Sequence, residues 1–410
     1  MAGPRFRPSD LQGLAQMATQ AVSGVARIAE GVTQSVWGTL GVPGGARDGQ
    51  TRGLTGQVFQ AIEGVNQLAG KGAQAVLGKL LPLLQTVEAE PEQSFAREAV
   101  LAALNGVMGD RLQDGNNPLA TQMGLYRVQG QSSARLDVKS VGAGATGKIL
   151  VLVHGLCMNE LQWTPAGETA HADTLAKQLG YTPVYVRYNT GLHTSQNGQA
   201  LSRLLEQLVS QWPVPVEEIT LLTHSMGGLV ARSAVHCAQP KWRAVLKNII
   251  FLGTPHQGAP LEKAGNWVDT ILGSTPYSRP FARLGQLRSA GITDLRYGHV
   301  VDADWLGHDR FRSKPDSRHF VPLPEGVACY TVAATLAPKR GPVSDRLLGD
   351  GLVPLPSALG QHEDDSRALK FARGSQFVAY RTNHMQLLYH RDVTAQLLQW
   401  LQPPVAGEAD

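Results

Sequence analysis

The stretch VEEITLLTHSMGG at 216–228 constrains the fold more than any other part of the chain. A strand-like run, Ile219–Leu222, turns sharply at Thr223-His224-Ser225 into a helix that begins near Met226. A serine on such a strand-to-helix turn projects its hydroxyl from the end of a sheet, and small neighbours permit the strained backbone. The usual signal is G-x-S-x-G, but here Thr223 stands at the first position, so the motif is T-x-S-x-G. A branched residue fits a somewhat wider turn, provided that its Cβ avoids the adjoining helix. Gly227 and Gly228 allow close helix–strand packing, and Met226 can lie over an acyl site. The bland alternative is a serine that merely caps a core helix.

The surroundings of this turn read as α/β. Short strands are expected at 125–128 and 135–138, then longer ones in 147–155, 182–189, 216–228, 246–258 and 327–336, with a short apolar segment at 376–380. Helical stretches at 168–179 and 197–211 fall between them, which predicts a mostly parallel sheet with helices on both faces. From Ala259 to about Arg318 the alternation lapses into a segment bearing Trp267, Tyr277, Phe281, Tyr297 and Trp305. It is too long for a simple connection, so 259–318 reads as a cap or lid inserted in a catalytic domain spanning 120–400.

Residues 1–115 read as a helical N-terminal extension that ends before the break DGNNP at 114–118. Within it, 11–85 carries two glycine-notched helical stretches joined by GVPGGARDG, the pattern of a helical hairpin. Three roles compete for it: a cover for the main domain, peripheral attachment to a membrane or lipid surface, and oligomerisation. The apolar faces favour lipid, and the shortage of Lys and Arg on them disfavours it.

Composition closes off other classes. Hydrophobic residues make up 42% and charged residues 17% of 410, which fits a globular chain and not a disordered one. A net charge of +4, scattered among acids, offers no groove for nucleic acid. Cys157, Cys237 and Cys329 form no CxxC pair and read as reduced, individually buried thiols. No apolar run reaches the roughly 18 residues of a membrane span, and none near the N-terminus resembles a secretory signal. The expectation is a cytoplasmic enzyme, with peripheral membrane contact through 11–85 as the variant.

A serine hydroxyl is a weak nucleophile until a base takes its proton, and the base needs an acid to hold its tautomer. Downstream of Ser225, Asp350 lies in GDGLVP and His384 in TNHMQLL, the chain order serine, acid, histidine. Asp345 is the nearest rival acid, whereas Asp364 and Asp365 lie in a solvated stretch; His390 and His362 are the rival bases. The turn after LVLVHG would aim the Leu156 amide inward, beside that of Met226, as a two-donor oxyanion hole. His154 belongs to that turn and reads as structural. Met158 and Trp163 read as lining of a hydrophobic acyl pocket, and His256 of GTPHQG either borders substrate or bonds within its own loop. No compact His/Asp/Glu spacing calls for a metal, and the chemistry requires no cofactor.

These segments together resemble the α/β-hydrolase superfamily, in its lipase/esterase-like branch that includes triacylglycerol lipases and PGAP1-like proteins. The resemblance spans about 120–400 and rests on the HG turn at 154–155, the HSMGG elbow, the GTPHQG loop and the GDGLVP loop. VHGLCMNELQW and VRYNTGLHTSQNG also resemble stretches of bacterial members of the branch. The resemblance implies an α/β-hydrolase fold and a bacterial carboxylester hydrolase with Ser225, Asp350 and His384 as its triad. A phospholipase or acyltransferase using the same residues, and a non-catalytic lipid-surface binding protein, are the competing readings.

Overall fold

A computed structural model describes residues 9–10, 12–13, 16, 95–164, 167–259, 289–307, 316–339 and 349–402. Nearly all of the expected hairpin at 11–85, most of the expected cap, and Asp345 lie outside the described residues.

The elements follow one another as α1 (Phe95–Asp114), β1 (Gly124–Gln129), β2 (Ser132–Arg135), β3 (Lys148–Val153), α2 (His171–Leu179), β4 (Thr182–Arg187) and α3 (Thr194–Gln211). Next come β5 (Glu218–His224), α4 (Met226–His236), α5 (Pro240–Val245), β6 (Leu246–Leu252) and α6 (Ala290–Tyr297). The chain continues through β7 (Ala328–Thr335), α7 (Leu355–Ala358), β8 (Gln376–Tyr380) and α8 (Arg391–Leu401). Eight strands form one sheet in the order β2-β1-β4-β3-β5-β6-β7-β8. β1 pairs antiparallel with both β2 and β4, and every pairing from β4 through to β8 is parallel.

The central strands are apolar at successive positions because both faces of the sheet are covered. Ile149, Val151 and Val153 of β3 pack with Leu221, Ile249 and Phe251 on one face. Leu150 and Leu152 pack with Leu222, Ile250 and Leu252 on the other. Period-two alternation thus splits one run of sequence between two cores. α3 and α4 cover the first face, and α2 and α8 cover the second.

α1, the end of the expected N-terminal extension, is built into the first of these cores. Val100, Ala103, Leu104, Val107 and Leu112 are buried there. Arg97 pairs with Asp10 and Glu98, while Arg187 of β4 pairs with Glu98 and Glu160, so a buried chain of charges ties α1 to the sheet. The described end of the expected cap is likewise a core element. Ile292 and Leu295 of α6 are buried in the same cluster, and Ser289 donates to the Gly106 carbonyl of α1 at 2.6 Å.

Among the described residues no helix is long and apolar enough to cross a membrane. The three cysteines are unbridged, but the expectation that all are buried fails at Cys237, which is exposed. Cys237 closes α4, where a helix reaches the edge of the molecule, so an apolar neighbourhood in sequence did not imply burial.

Candidate active site

Parallel strands share one carboxyl edge, where the loops that follow them meet. β3 delivers Gly155 and Leu156 to that edge, β5 delivers Ser225, β6 the 253–258 loop, β7 Asp350 and β8 His384.

Ser225 has φ 54° and ψ −123°, in the region that side chains other than glycine rarely occupy. Its amide donates to the Leu252 carbonyl at 2.8 Å, which fixes the turn against β6. Thr223, the departure from the usual motif, lies within β5 rather than in the turn. Its hydroxyl donates to the Ile250 carbonyl of the neighbouring strand at 2.9 Å, so the branched side chain is tied to the sheet. Gly227 and Gly228 do meet neighbours. A Cβ on Gly227 would stand 2.3 Å from the Val153 carbonyl oxygen, and one on Gly228 would stand 2.0 Å from Thr254 Oγ1.

Asp350 and His384 are 2% exposed each, and His384 Nδ1 lies 2.6 Å from Asp350 Oδ2. The other carboxylate oxygen accepts the amides of Leu352 at 2.9 Å and Val353 at 2.7 Å, and the His384 amide donates to the Asp350 carbonyl. With Nδ1 donating to a carboxylate, the lone pair of the imidazole sits on Nε2. Nε2 and Ser225 Oγ are both buried and both lack a hydrogen-bond partner. The His384 ring lies against Gly253, the residue after Leu252, which holds the Ser225 amide; a Cβ on Gly253 would stand 3.0 Å from His384 Cε1. No hydrogen bond joins Ser225 Oγ to His384 Nε2.

The amides of Leu156 and Met226 have no intramolecular acceptor among the described residues. The Met226 amide opens α4, where no helical carbonyl can serve it. A Cβ on Gly155 would lie 3.0 Å from Ser225 Cβ, so the turn bearing Leu156 runs directly beside the serine. The side chains of Leu156 and Met226 enter the core under α3 and α4, so Met226 does not lie over the reacting edge. Met158 and Trp163 are buried on the opposite face of the sheet, with Met158 Sδ close to Gly155.

His154 has a structural setting. Its ring stacks on Tyr188 at 4.4 Å, its Nδ1 faces the Gly155 carbonyl, and burial pushes its imidazole down to about 4. His256 is 1% exposed, stands edge-on to Phe251 and has both ring nitrogens unpartnered. It lines a pocket shared with Arg232 of α4, and borders neither Ser225 nor His384 in any recorded contact. The rival bases are engaged elsewhere: His390 caps α8, and His362 faces Asp316.

Two histidines without an assigned role in the sequence stand at the site. His224 packs on the His384 ring at 4.6 Å, with its Nε2 3.1 Å from the His384 carbonyl. Burial first, then the nearby His384, hold its imidazole well below the usual range. His171 opens α2 and bridges the Leu387 carbonyl and the Thr394 hydroxyl at 2.8 Å each, which pins the turn that follows His384. Burial pushes it down to about 4. Adjacency in sequence could have drawn attention to His224, but nothing local marks His171.

Residues 144–320 match the PGAP1-like alpha/beta domain, a span that includes Ser225, Leu156 and Met226 but neither Asp350 nor His384. No curated protein sequence matches this chain. Among solved structures, a lipase from Bacillus licheniformis in its mature form is 19% identical with a TM-score of 0.39, over 62% of this chain and 90% of that one. The naproxen esterase from Bacillus subtilis is 14% identical with a TM-score of 0.37, over 73% and 98%. A protein described as EstA from Clostridium botulinum is 12% identical with a TM-score of 0.36, over 73% and 96%. At these identities and scores the likeness carries nothing about chemistry.

Proposed function

We propose that this chain, an α/β-hydrolase whose residues 144–320 match the PGAP1-like alpha/beta domain, is a serine carboxylester hydrolase acting on hydrophobic acyl esters. One observation carries the reading. A buried imidazole is held by a carboxylate through Nδ1 and leaves Nε2 unpaired at the sheet edge that presents a strained serine with an unpaired hydroxyl.

His384 Nε2 takes the Ser225 proton as Oγ attacks the ester carbonyl. Asp350 fixes the tautomer and stabilises the imidazolium that forms. The amides of Leu156 and Met226 receive the oxyanion of the tetrahedral intermediate, where one such donor is worth about 3 kcal/mol. Imidazolium then protonates the departing alcohol, and the acyl group stays on Ser225. A water deprotonated by the same Nε2 releases the acid and restores the hydroxyl. The apolar side chains of Met158, beside Gly155, and of Trp163, edge-on to His224, support acyl esters over charged substrates.

The test is hydrolysis of p-nitrophenyl acyl esters of increasing chain length together with fluorophosphonate labelling. The full chain is expected to turn over and to be labelled at Ser225. Ser225→Ala is expected to lose label and to lose at least about 10^4 in kcat. An S225A protein with undiminished turnover overturns the assignment.

A further inference from the structure

Arg232 lies seven residues beyond Ser225 on α4, about 10 Å along the helix axis, and points away from the reacting edge toward the segment before β7. It is 6% exposed. Its Nη2 donates to the Val321 carbonyl at 2.6 Å, and its Nε is buried with no acceptor. Among the described residues no carboxylate is ion-paired with it. The nearest acid that acts on it, Asp304, spends its oxygens on the amides of Val300, Val301 and His319. Burial, and then Arg318, lower the Arg232 guanidinium to about 10, so it remains a cation at neutral pH.

Beside it stands His256, buried, with neither Nδ1 nor Nε2 bonded to anything. Burial and the Arg232 charge hold this imidazole well below its usual range, so it is neutral and brings one N–H donor. Both side chains line a small pocket that opens to solvent and is lined also by Arg318, His319 and Arg367. Asp316 pairs with Arg318 at 2.7 Å and with Arg367 at 3.1 Å, which leaves the pocket with more positive than negative charge. A buried guanidinium without a counter-charge is costly, and the missing partner is an acceptor-rich anion.

We propose that this pocket is an oxyanion-binding site that takes a phosphate group, separate from the reacting serine. A tetrahedral oxyanion accepts from Arg232 Nε, accepts from the single N–H of His256, and faces the Arg318 and Arg367 guanidinium groups at the mouth. Free phosphate and the phosphate of a lipid headgroup share this chemistry. The site lies beyond the hydrolase reading and does not depend on it.

The test is calorimetric titration of the full chain with inorganic phosphate and, in a second arm, with glycerol 3-phosphate, against sodium chloride at matched ionic strength. Saturable binding is expected, read as heat and hence independent of turnover, and present also in S225A. Binding of both ligands points to a headgroup, and binding of phosphate alone to the free ion. Arg232→Met is expected to raise Kd about tenfold or more, the loss of a charge-assisted bond. Arg367→Gln, at the more exposed mouth, is expected to raise it about two- to fivefold. Far-UV circular dichroism checks that each variant is folded. No saturable heat from either phosphate ligand above the chloride control overturns the site. So does unchanged affinity in a folded Arg232→Met, or in Arg367→Gln should Arg232→Met not fold.

Discussion

His384 and His171 are both buried histidines at the β8 end of the sheet, yet they are held by opposite kinds of partner. His384 gives Nδ1 to the Asp350 carboxylate and leaves Nε2 free. His171 has both nitrogens engaged by neutral groups, the Thr394 hydroxyl and the Leu387 carbonyl. An anionic partner stabilises the protonated ring, so the first arrangement suits a group that gains and returns a proton in each cycle. Neutral partners and burial favour the uncharged ring, so the second suits a fixed strut. Equal burial thus separates into chemistry and architecture according to the charge of one neighbour.

The comparison breaks most severely if its anionic partner is neutralised. In Asp350→Asn the Oδ1 oxygen can still receive the Leu352 and Val353 amides, but the NH₂ group now faces Nδ1. That forces the proton onto Nε2, the wrong tautomer to accept from Ser225. A loss of about 10^4 in kcat with an unchanged circular dichroism spectrum is expected, and near-normal ester turnover would show that the carboxylate is dispensable.

A smaller effect sharpens the other side. Because folded His171 titrates near 4 and an unfolded histidine near 6.5, the unfolded state binds more protons between those values. Stability is therefore lost as pH falls through that window, with His171 contributing about 2 kcal/mol between pH 7 and pH 5. Urea unfolding of His171→Gln at the two pH values is expected to show a drop smaller by that amount than the parent. His154, also near 4, should keep its own share of the slope in the variant.

The smallest effect concerns the elbow itself. Thr223→Val removes a hydroxyl bonded to the Ile250 carbonyl but keeps the branched shape. A loss of about 1 kcal/mol in unfolding free energy with kcat retained is expected. A large fall in kcat at constant stability would mean that Thr223 sets the position of Ser225 and does not merely tie two strands.

Much of this was legible in the chain. The strand-to-helix turn at Ser225 is a local event, so Ile219–Leu222, Ser225 and Gly227-Gly228 announce it without help from distant residues. The strands at 148–153, 182–187 and 246–252 were visible as apolar runs because a two-faced parallel sheet has no polar side to interrupt them. The place of α1 was not legible. Its glycine-notched sequence resembles the preceding extension, and only its burial against the first core shows it to be part of the domain. The pairing of His171 with Leu387 and Thr394 spans more than 200 residues and leaves no local pattern.

The sequence by itself determined the α/β class and the strand-to-helix turn at Ser225, because backbone propensity, side-chain periodicity and turn chemistry act over a few residues. Tertiary structure decided that His384 meets Asp350 directly and lies beside Gly253, because that depends on the register of β7 and β8 against β6. It likewise decided that Arg232 and His256 share one pocket, with Arg232 Nε and both His256 ring nitrogens unbonded, since solvation is set by what the whole chain folds around a group.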